Sequence, residues 1–260
     1  MLRYIGEKFL TSLRDLNGII SSAVYSISSF LFSSKHGRRA ASRVLYKQVY
    51  FTGIEALPII SWIAILLGII IVTEAMSILP QIGGERFIGK IMVWVVIREL
   101  GPLFAAIIVI ARSGTAMAAE LGSMKINNEV MAIEAMGIDP QVYLVVPRVI
   151  GASLAIFILT FYFEVISVLG GYLLAGFGTR MSFHVYASSI LEAINITDII
   201  ASLLKSLFFG LIIGAVCCYH GLKVGRSITE IPQETTKAVI TSLFLIFVVD
   251  GMVTMIFFFI

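Results

Sequence analysis

Charged residues are scarce in this sequence. Only 13% of its 260 residues are Asp, Glu, Lys or Arg, whereas 58% are hydrophobic; a soluble domain carries about 25% charged residues. A surface so poor in charge cannot face mainly water, so the chain is predicted to be an integral membrane protein. The formal net charge of +3 is small, and the basic residues gather near the N-terminus. That distribution favours anionic lipid head groups over nucleic acid as partners.

Cysteine and histidine are rare as well. The two cysteines are the adjacent pair Cys217 and Cys218, and the three histidines are scattered, so neither a disulfide framework nor a metal site is predicted. No nucleophile–base pattern is visible, and the chain is predicted not to be an enzyme. The segment from Gly84 to Lys90 has the glycine and lysine spacing of a phosphate-binding loop, but Ile91 replaces the Ser or Thr that would bind Mg²⁺. We therefore predict no ATP site and no other cofactor in this chain.

Long apolar runs are what the sequence has in abundance. A helix of about 20 apolar residues crosses a bilayer, and this criterion predicts an all-α membrane protein. A five-span domain is predicted over residues 49–260, with spans at about 53–79, 87–118, 142–177, 199–222 and 238–260.

Residues 1–48 precede the predicted spans. Apolar residues from Leu2 to Ile20 recur at helical spacing, which predicts an amphipathic helix in the membrane interface, with a helix of a soluble core as the alternative. Of the 19 basic residues, 14 fall on the same side of the membrane as the N-terminus in this arrangement of spans, three fall on the other side, and Arg98 and Lys205 lie within spans. By the positive-inside rule the N-terminus is cytoplasmic, and five crossings place the C-terminus outside.

The second span carries Arg98 and Glu99 side by side, followed by Pro102. Each charge costs about 2.5 to 3.5 kcal/mol at a helix centre on insertion scales. Pro102 has no N–H to donate to the carbonyl of Arg98, four residues earlier. We therefore predict a hinge at Pro102 and a functional role for the two charges; the alternative is a packing hinge with a structural ion pair.

Two more charges lie deep in apolar runs, Lys205 in the fourth span and Asp250 in the fifth. Two charges of each sign predict mutual pairing around an interior cavity. Arg98 and Glu99 should find partners on the fourth and fifth spans, because neighbours on a helix point about 100° apart. A static ion-pair lock is the alternative. The apolar residues predicted to complete the cavity are Leu100, Ile71, Ile78 and Leu79.

A short helix is predicted over about 127–137, between the second and third spans. Asn127 or Asn128 can cap its start, and Gly137 is placed to end it. Two to three turns are unstable alone, so the helix should dock on its own membrane domain or in a groove on a cytoplasmic partner, where methionine adapts well. The residues predicted to contact such a partner are Asn128, Glu129, Val130, Ile133, Glu134, Met136 and Gly137.

Three motifs resemble one family. IRELGP at 97–102, ARSGTAMAAELG at 111–122 and EAMGIDP at 134–140 are similar in order and spacing to the MlaE (YrbE) family of ABC-transporter permeases, and the similarity covers about residue 45 to the C-terminus. The resemblance implies that Arg98, Glu99, Lys205 and Asp250 line a lipid cavity.

The same resemblance implies an assembly in the bacterial inner membrane. It consists of a permease homodimer, two cytoplasmic ATPase subunits that bind ATP and Mg²⁺ and grip the short helix, and a periplasmic ring of MCE-domain proteins. A small cytoplasmic regulatory subunit is a further implied partner. The implied cargo is phospholipid, moved between inner and outer membranes to maintain outer-membrane lipid asymmetry.

Two other functions stay open on the residues. One is an ion-coupled secondary transporter of a lipid-like amphiphile, with Glu99 and Asp250 as the titrating groups. The other is a structural scaffold for an MCE complex. The first predicts transport by the lone chain on an ion gradient, and the second predicts that transport survives neutralisation of all four deep charges.

Overall fold

The computed structural model describes residues 15–26, 28, 35–78, 87–179, 182–225 and 227–259. All regular secondary structure in these ranges is helical. The helices are α1 over 15–26, α2 Lys35–Thr52, α3 Leu57–Ile78, α4 Ile88–Ile126, α5 Glu129–Ala135, α6 Val146–Thr179, α7 Phe183–Ala193, α8 Ile196–Lys223 and α9 Glu230–Phe258. Five helical stretches, in α3, α4, α6, α8 and α9, are long and apolar enough to cross a membrane. The predicted all-α membrane class with five spans is confirmed.

Two helices extend beyond the predicted spans. α4 continues to Ile126, through part of the segment that follows the predicted span end near 118. α9 begins at Glu230, well before 238, and carries Pro232 in its first turn, where an N–H has no helical partner to lose. Because a helix can continue outside the hydrocarbon layer, the span limits themselves stay predictions.

The predicted amphipathic stripe is only partly described, since its first 14 residues lie outside the described ranges. In α1 the buried apolar residue is Ile19, whereas Ile20, predicted to lie on the stripe, is 59% exposed. An apolar residue that faces lipid is exposed on the protein itself, so the interfacial helix stays a prediction.

One compact unit comprises Met1–Thr52, Ile110–Leu154 and Gly210–Leu245. In it α8 packs against α6 backbone to backbone: a Cβ on Gly210 would lie 2.3 Å from Cα of Ser153, and one on Gly214 would lie 2.7 Å from Cα of Val149. Real side-chain atoms do not approach so closely, so both positions require glycine for this helix contact.

α1 is held against the end of α8 in the same unit. Lys223 donates to both carboxylate oxygens of Asp15 at 2.6 and 2.7 Å, and the Tyr219 hydroxyl donates to Asp15 at 2.8 Å. At the other end of α1, the Tyr25 hydroxyl donates to Asp139 at 2.7 Å. Polar contacts at both ends thus fix the position of the helix.

The second unit comprises Gly53–Val109, Ala155–Phe209 and Ile246–Ile260. α3 crosses α6 closely, since a Cβ on Gly170 would lie 2.7 Å from Cα of Ile65, and the Ser167 hydroxyl donates to the carbonyl of Ala64 at 2.7 Å. α7 begins at a side-chain cap, where Ser182 accepts from the N–H of Val185. Its buried Tyr186 donates to the carbonyl of Val168 at 3.1 Å, which fixes α7 on α6.

Candidate functional site

At the position of the predicted hinge, α4 changes its helical register. Met92–Leu100 forms a π-helix, and the N–H of Gly101 bonds the carbonyl of Val96, five residues earlier. Pro102 follows at once, in the α-helical segment Gly101–Val109. π-helical turns are rare and frequently lie at functional sites, and this segment contains Arg98 and Glu99 shortly before the proline.

Lys205 is the centre of the polar cluster. Its side chain is fully buried, and Nζ lies 2.6 Å from Glu99 Oε2 and 2.9 Å from Asp250 Oδ1. The same nitrogen donates to the hydroxyl of Thr254 at 2.8 Å and to the carbonyl oxygen of Arg98 at 3.2 Å. The structure therefore joins Glu99 of α4, Lys205 of α8 and Asp250 of α9, and it supplies the Arg98 carbonyl with a donor in place of Pro102.

Arg98 is held more loosely than Lys205. Its Nη1 lies 3.5 Å from a carboxylate oxygen of Asp198, and its Nε lies 3.8 Å from Glu99 Oε1. The second contact differs from the expectation that these helix neighbours would not pair, because both side chains bend towards α8. Asp198 is almost fully buried and lies in the first turn of α8. A carboxylate at this position also interacts favourably with the helix dipole.

Three residues of the site, Asp198, Ser202 and Glu164, were not predicted from the sequence. Asp198, Ser202 and Lys205 recur at steps of four and three, so they share one face of α8. Ser202 donates a hydrogen bond to Glu164 of α6, which is only 8% exposed. A search for polar residues at helical spacing within the fourth span would have found this face.

One group of the cluster, the Arg98 guanidinium, still has hydrogen-bond donors for a ligand. The ion pairs of the cluster join two cations, Arg98 and Lys205, to three carboxylates, those of Glu99, Asp198 and Asp250. Whereas the Lys205 side chain is fully buried, that of Arg98 is 20% exposed. Its ion-pair distances exceed the roughly 2.7 to 2.9 Å of a charge-assisted hydrogen bond, and no described residue accepts a hydrogen bond from its guanidinium. Arg98 can therefore donate to an additional anion, and its planar fork matches the geometry of phosphate.

The apolar residues of the predicted cavity are only partly placed. Leu100 follows Glu99 in α4 and is half-buried, and Ile71 of α3 is half-buried as well. Ile78 is the last residue of α3, and Leu79 lies outside the described residues. The enclosed cavity expected around them stays a prediction.

α5 is a two-turn helix with no fully buried residue. Contrary to the predicted side-chain cap, Asn128 accepts no capping hydrogen bond; it adopts φ +59°, and its carbonyl accepts from the N–H of Ala132. This left-handed residue lets the chain turn from α4 into α5 through two residues. Gly137, at φ +76°, ends the helix: its N–H bonds the carbonyl of Glu134, and the next N–H bonds that of Ile133. This is a Schellman motif.

Met131 and Met136 are 64% and 66% exposed on α5, whereas Val130 and Ile133 are half-buried. Glu129 and Glu134 are exposed. The predicted contact surface therefore presents methionine and carboxylate side chains outward.

Comparison with known proteins identifies relatives over most of the chain. The family described as Permease MlaE matches residues 45–256. A probable ABC transporter permease protein of Rickettsia typhi is 31% identical over 211 residues, which are 81% of this chain and 82% of the relative. A second, from Rickettsia prowazekii, is 30% identical over 239 residues, 92% of each chain. The chloroplastic protein TRIGALACTOSYLDIACYLGLYCEROL 1 of Arabidopsis thaliana is 30% identical over 212 residues, 82% of this chain and 61% of the relative.

Proposed function

This chain belongs to the permease MlaE family of ABC transporter permeases, and we propose that it moves phospholipids between the inner and outer membranes of a bacterium and so maintains outer-membrane lipid asymmetry. The observation that carries the proposal is Arg98, a partly exposed guanidinium with unused donors in an apolar membrane unit. A lipid phosphate is the anion that such a site would meet. The name of the Arabidopsis relative contains that of a glycerolipid, which agrees with a lipid cargo.

We propose that the lipid lies in a cavity between two copies of this chain. Only 11% of the most apolar stretch of α9 and 28% of that of α3 is buried within the chain, against 67% of that of α6. Within a membrane, such faces contact lipid tails or a second subunit. The acyl chains would lie against these faces and against Leu100, Ile71, Ile78 and Leu79, with Arg98 and the rest of the polar cluster at the rim.

The energy for transport comes from partner subunits in this proposal. ABC transporter permeases work with ATPase subunits, and the exposed Met131, Glu134 and Met136 of α5 would contact them. ATP and Mg²⁺ would be bound by those partners and not by this chain. The short turn at Asn128 joins α5 to α4, so movement of α5 would be transmitted to the kinked segment before Pro102.

The remaining partners and the topology belong to the same proposal. The chain would lie in the inner membrane with its N-terminus in the cytoplasm and its C-terminus in the periplasm. This orientation places 14 of the basic residues on the cytoplasmic side, in agreement with the positive-inside rule. A periplasmic ring of MCE-domain proteins would receive or deliver the lipid. A small cytoplasmic subunit would regulate the ATPase.

Native purification of the complex, followed by mass spectrometry of its subunits and lipids, tests the proposal. The wild-type chain is expected to carry ATPase subunits and phospholipid. Arg98→Gln should keep the ATPase subunits but lose most of the bound phospholipid, and ATP-dependent lipid transfer should fall about tenfold, the equivalent of about 1.4 kcal/mol. Lys90→Gln, which removes an exposed cation of the same unit, is the matched control. Unchanged lipid content in Arg98→Gln would contradict the proposed site.

Transport assays with the protein reconstituted in liposomes test the two alternatives. Lipid movement by the lone chain in liposomes, driven by an ion gradient without ATP, would favour ion-coupled transport through Glu99 and Asp250. Transport that persists when Arg98, Glu99, Lys205 and Asp250 are all neutralised would favour a scaffold role.

A further inference from the structure

A cavity of about 560 Å³ lies among α2, α4 and the beginning of α6, and its walls are both charged and apolar. Its charged lining residues are Lys47, Glu120 and Arg148, and Phe51, Met117 and Tyr143 are among the others. Pockets that bind small molecules have volumes of about 300 to 1,000 Å³. This cavity shares no lining residue with the polar cluster around Lys205, so it is a separate candidate site.

Arg148 supplies the strongest indication of a ligand. It is 95% buried, since only 5% of its surface is exposed. Nη1 donates to the carbonyl of Leu144 at 2.9 Å, and Nη2 lies 3.0 Å from Glu120 Oε2. Its Nε is buried and has no hydrogen-bond partner. An unsatisfied buried donor costs about 1 to 3 kcal/mol, and a ligand oxygen that accepted from Nε would remove that cost.

The charges of the lining leave one positive charge in excess. Arg148 and Lys47 are cations, and Glu120 is the one acid among the lining residues. Lys47 is exposed and makes no ion pair within the part of the chain that the structure describes, so its ammonium is available to a ligand. A single excess positive charge matches the single negative charge of a phosphodiester.

We propose that this cavity binds the phosphodiester head group of an anionic phospholipid that stays with the protein and is not the cargo. The phosphate accepts from Arg148 Nε and pairs with Lys47, and the glycerol and first acyl carbons lie against Phe51 and Met117. The surface potential of a leaflet rich in anionic lipid adds to the attraction of such basic sites. The inference does not depend on the direction of transport or on the polar cluster.

Photo-crosslinking tests this site directly. The purified complex, reconstituted in phosphatidylcholine vesicles, is labelled with phosphatidylglycerol that carries a diazirine near the glycerol, and digested with trypsin. Cleavage after Arg112 and Lys125 releases Ser113–Lys125, which contains Met117 and Glu120. We expect label on this peptide and an approximately fivefold loss of label in Lys47→Gln. Lys237→Gln, which neutralises an exposed lysine outside the cavity lining, should label like the wild type.

A second variant separates ligand binding from folding. Arg148→Lys keeps a cation opposite Glu120 but removes the Nε–H, so labelling should fall about fivefold; if this variant does not fold, the exposed Lys47 variant decides alone. Competition identifies the ligand class: displacement of the label by unlabelled phosphatidylglycerol alone supports the proposal. Equal displacement by phosphatidylcholine would overturn the anionic head group, and equal displacement by inorganic phosphate would overturn the lipid. Unchanged labelling in Lys47→Gln would overturn the site, whether or not Arg98 binds cargo.

Discussion

The side-chain nitrogen of Lys205 lies 3.2 Å from the carbonyl oxygen of Arg98, the backbone acceptor that Pro102 leaves without its α-helical donor. The same nitrogen contacts the carboxylates of Glu99 and Asp250. One ammonium group therefore satisfies both the irregular backbone of α4 and two deep carboxylates. The irregular backbone before Pro102 and the polar cluster share this ammonium group, so a change at either is expected to affect the other.

Replacement of the central cation should destabilise the membrane unit strongly. Lys205→Met leaves Glu99 and Asp250 without their common partner, and removal of one member of a buried ion pair costs about 3 kcal/mol or more. The expected result is a lower Tm of the purified complex in detergent and a lower yield of folded protein.

A triple variant is the control for this prediction. Adding Glu99→Gln and Asp250→Asn to Lys205→Met removes the uncompensated charges, and a large part of the lost stability should return. If Lys205→Met has the same Tm as the wild type, the buried contacts of Lys205 contribute nothing to stability.

Pro102→Ala should separate stability from transport. The new N–H can bond the Arg98 carbonyl, where it competes with Lys205, and a proline in a helix interior costs about 3 kcal/mol. We expect a Tm equal to or above that of the wild type, with slower ATP-dependent lipid transfer because the hinge is straightened. Pro232→Ala, in the first turn of α9, should leave transfer unchanged. Full transfer by Pro102→Ala would mean that the hinge has no part in transport.

The amino-acid sequence reveals part of this polar site but not all of it. Because charge and proline chemistry are local, Arg98, Glu99 and the freed carbonyl were visible in the sequence. The π register over Met92–Leu100 was not, because the residue patterns that predict a helix do not distinguish a π-helical segment from an α-helical one. Asp198 was missed because it precedes the predicted fourth span, which begins at about 199, whereas the helix itself already begins at Ile196.

The short helix α5 was likewise predicted correctly at one end and only in part at the other. Gly137 was correctly expected to end it, since a positive φ strongly favours glycine. Asn127 or Asn128 was expected to cap its start; Asn128 lies at that position, but it makes no side-chain cap and instead adopts a left-handed backbone conformation. Asparagine is suited to both roles, so the sequence alone does not distinguish them.

Two glycines in similar helices should respond in opposite ways to alanine. In Gly210→Ala the new Cβ meets Cα of Ser153 at 2.3 Å, so α8 and α6 must separate, at a cost of about 1 to 3 kcal/mol. Gly251 has no atom within 4 Å of an added Cβ, and Gly251→Ala should stabilise α9 by about 0.5 to 1 kcal/mol. Thermal unfolding of the two variants measures both changes, and equal Tm values would refute the close packing of α8 on α6.

The docking of α1 should weaken in acid. Burial alone raises the pKa of the Asp15 carboxyl, but hydrogen bonds from Lys223 and Tyr219 outweigh burial and lower this pKa below its ordinary value. A carboxyl with a lowered folded-state pKa contributes stability above its unfolded pKa of about 3.9, and this contribution is lost as the pH falls through the folded value. Amide hydrogen exchange over residues 15–26, corrected for intrinsic rates, should therefore accelerate below about pH 4.

Asp15→Asn is the test of this pH dependence. The variant cannot titrate at this position, so exchange over 15–26 should already be faster at pH 7 and should change little on acidification. An acid response of the same size in Asp15→Asn would assign the effect to another group.

The exposed surface of α5 should be required for assembly and not for folding. Met136 is 66% exposed and Glu134 is exposed beside it, so Met136→Glu combined with Glu134→Lys should leave the Tm of the isolated permease unchanged. Co-purification of the ATPase subunits should fall about tenfold, because an apolar contact is lost and a charge is reversed in the proposed interface. Ile228→Glu adds a carboxylate at a residue that is 72% exposed outside α5 and should retain the ATPase. If the double variant retains the ATPase as well, the partner binds elsewhere and α5 does not transmit its movement to α4.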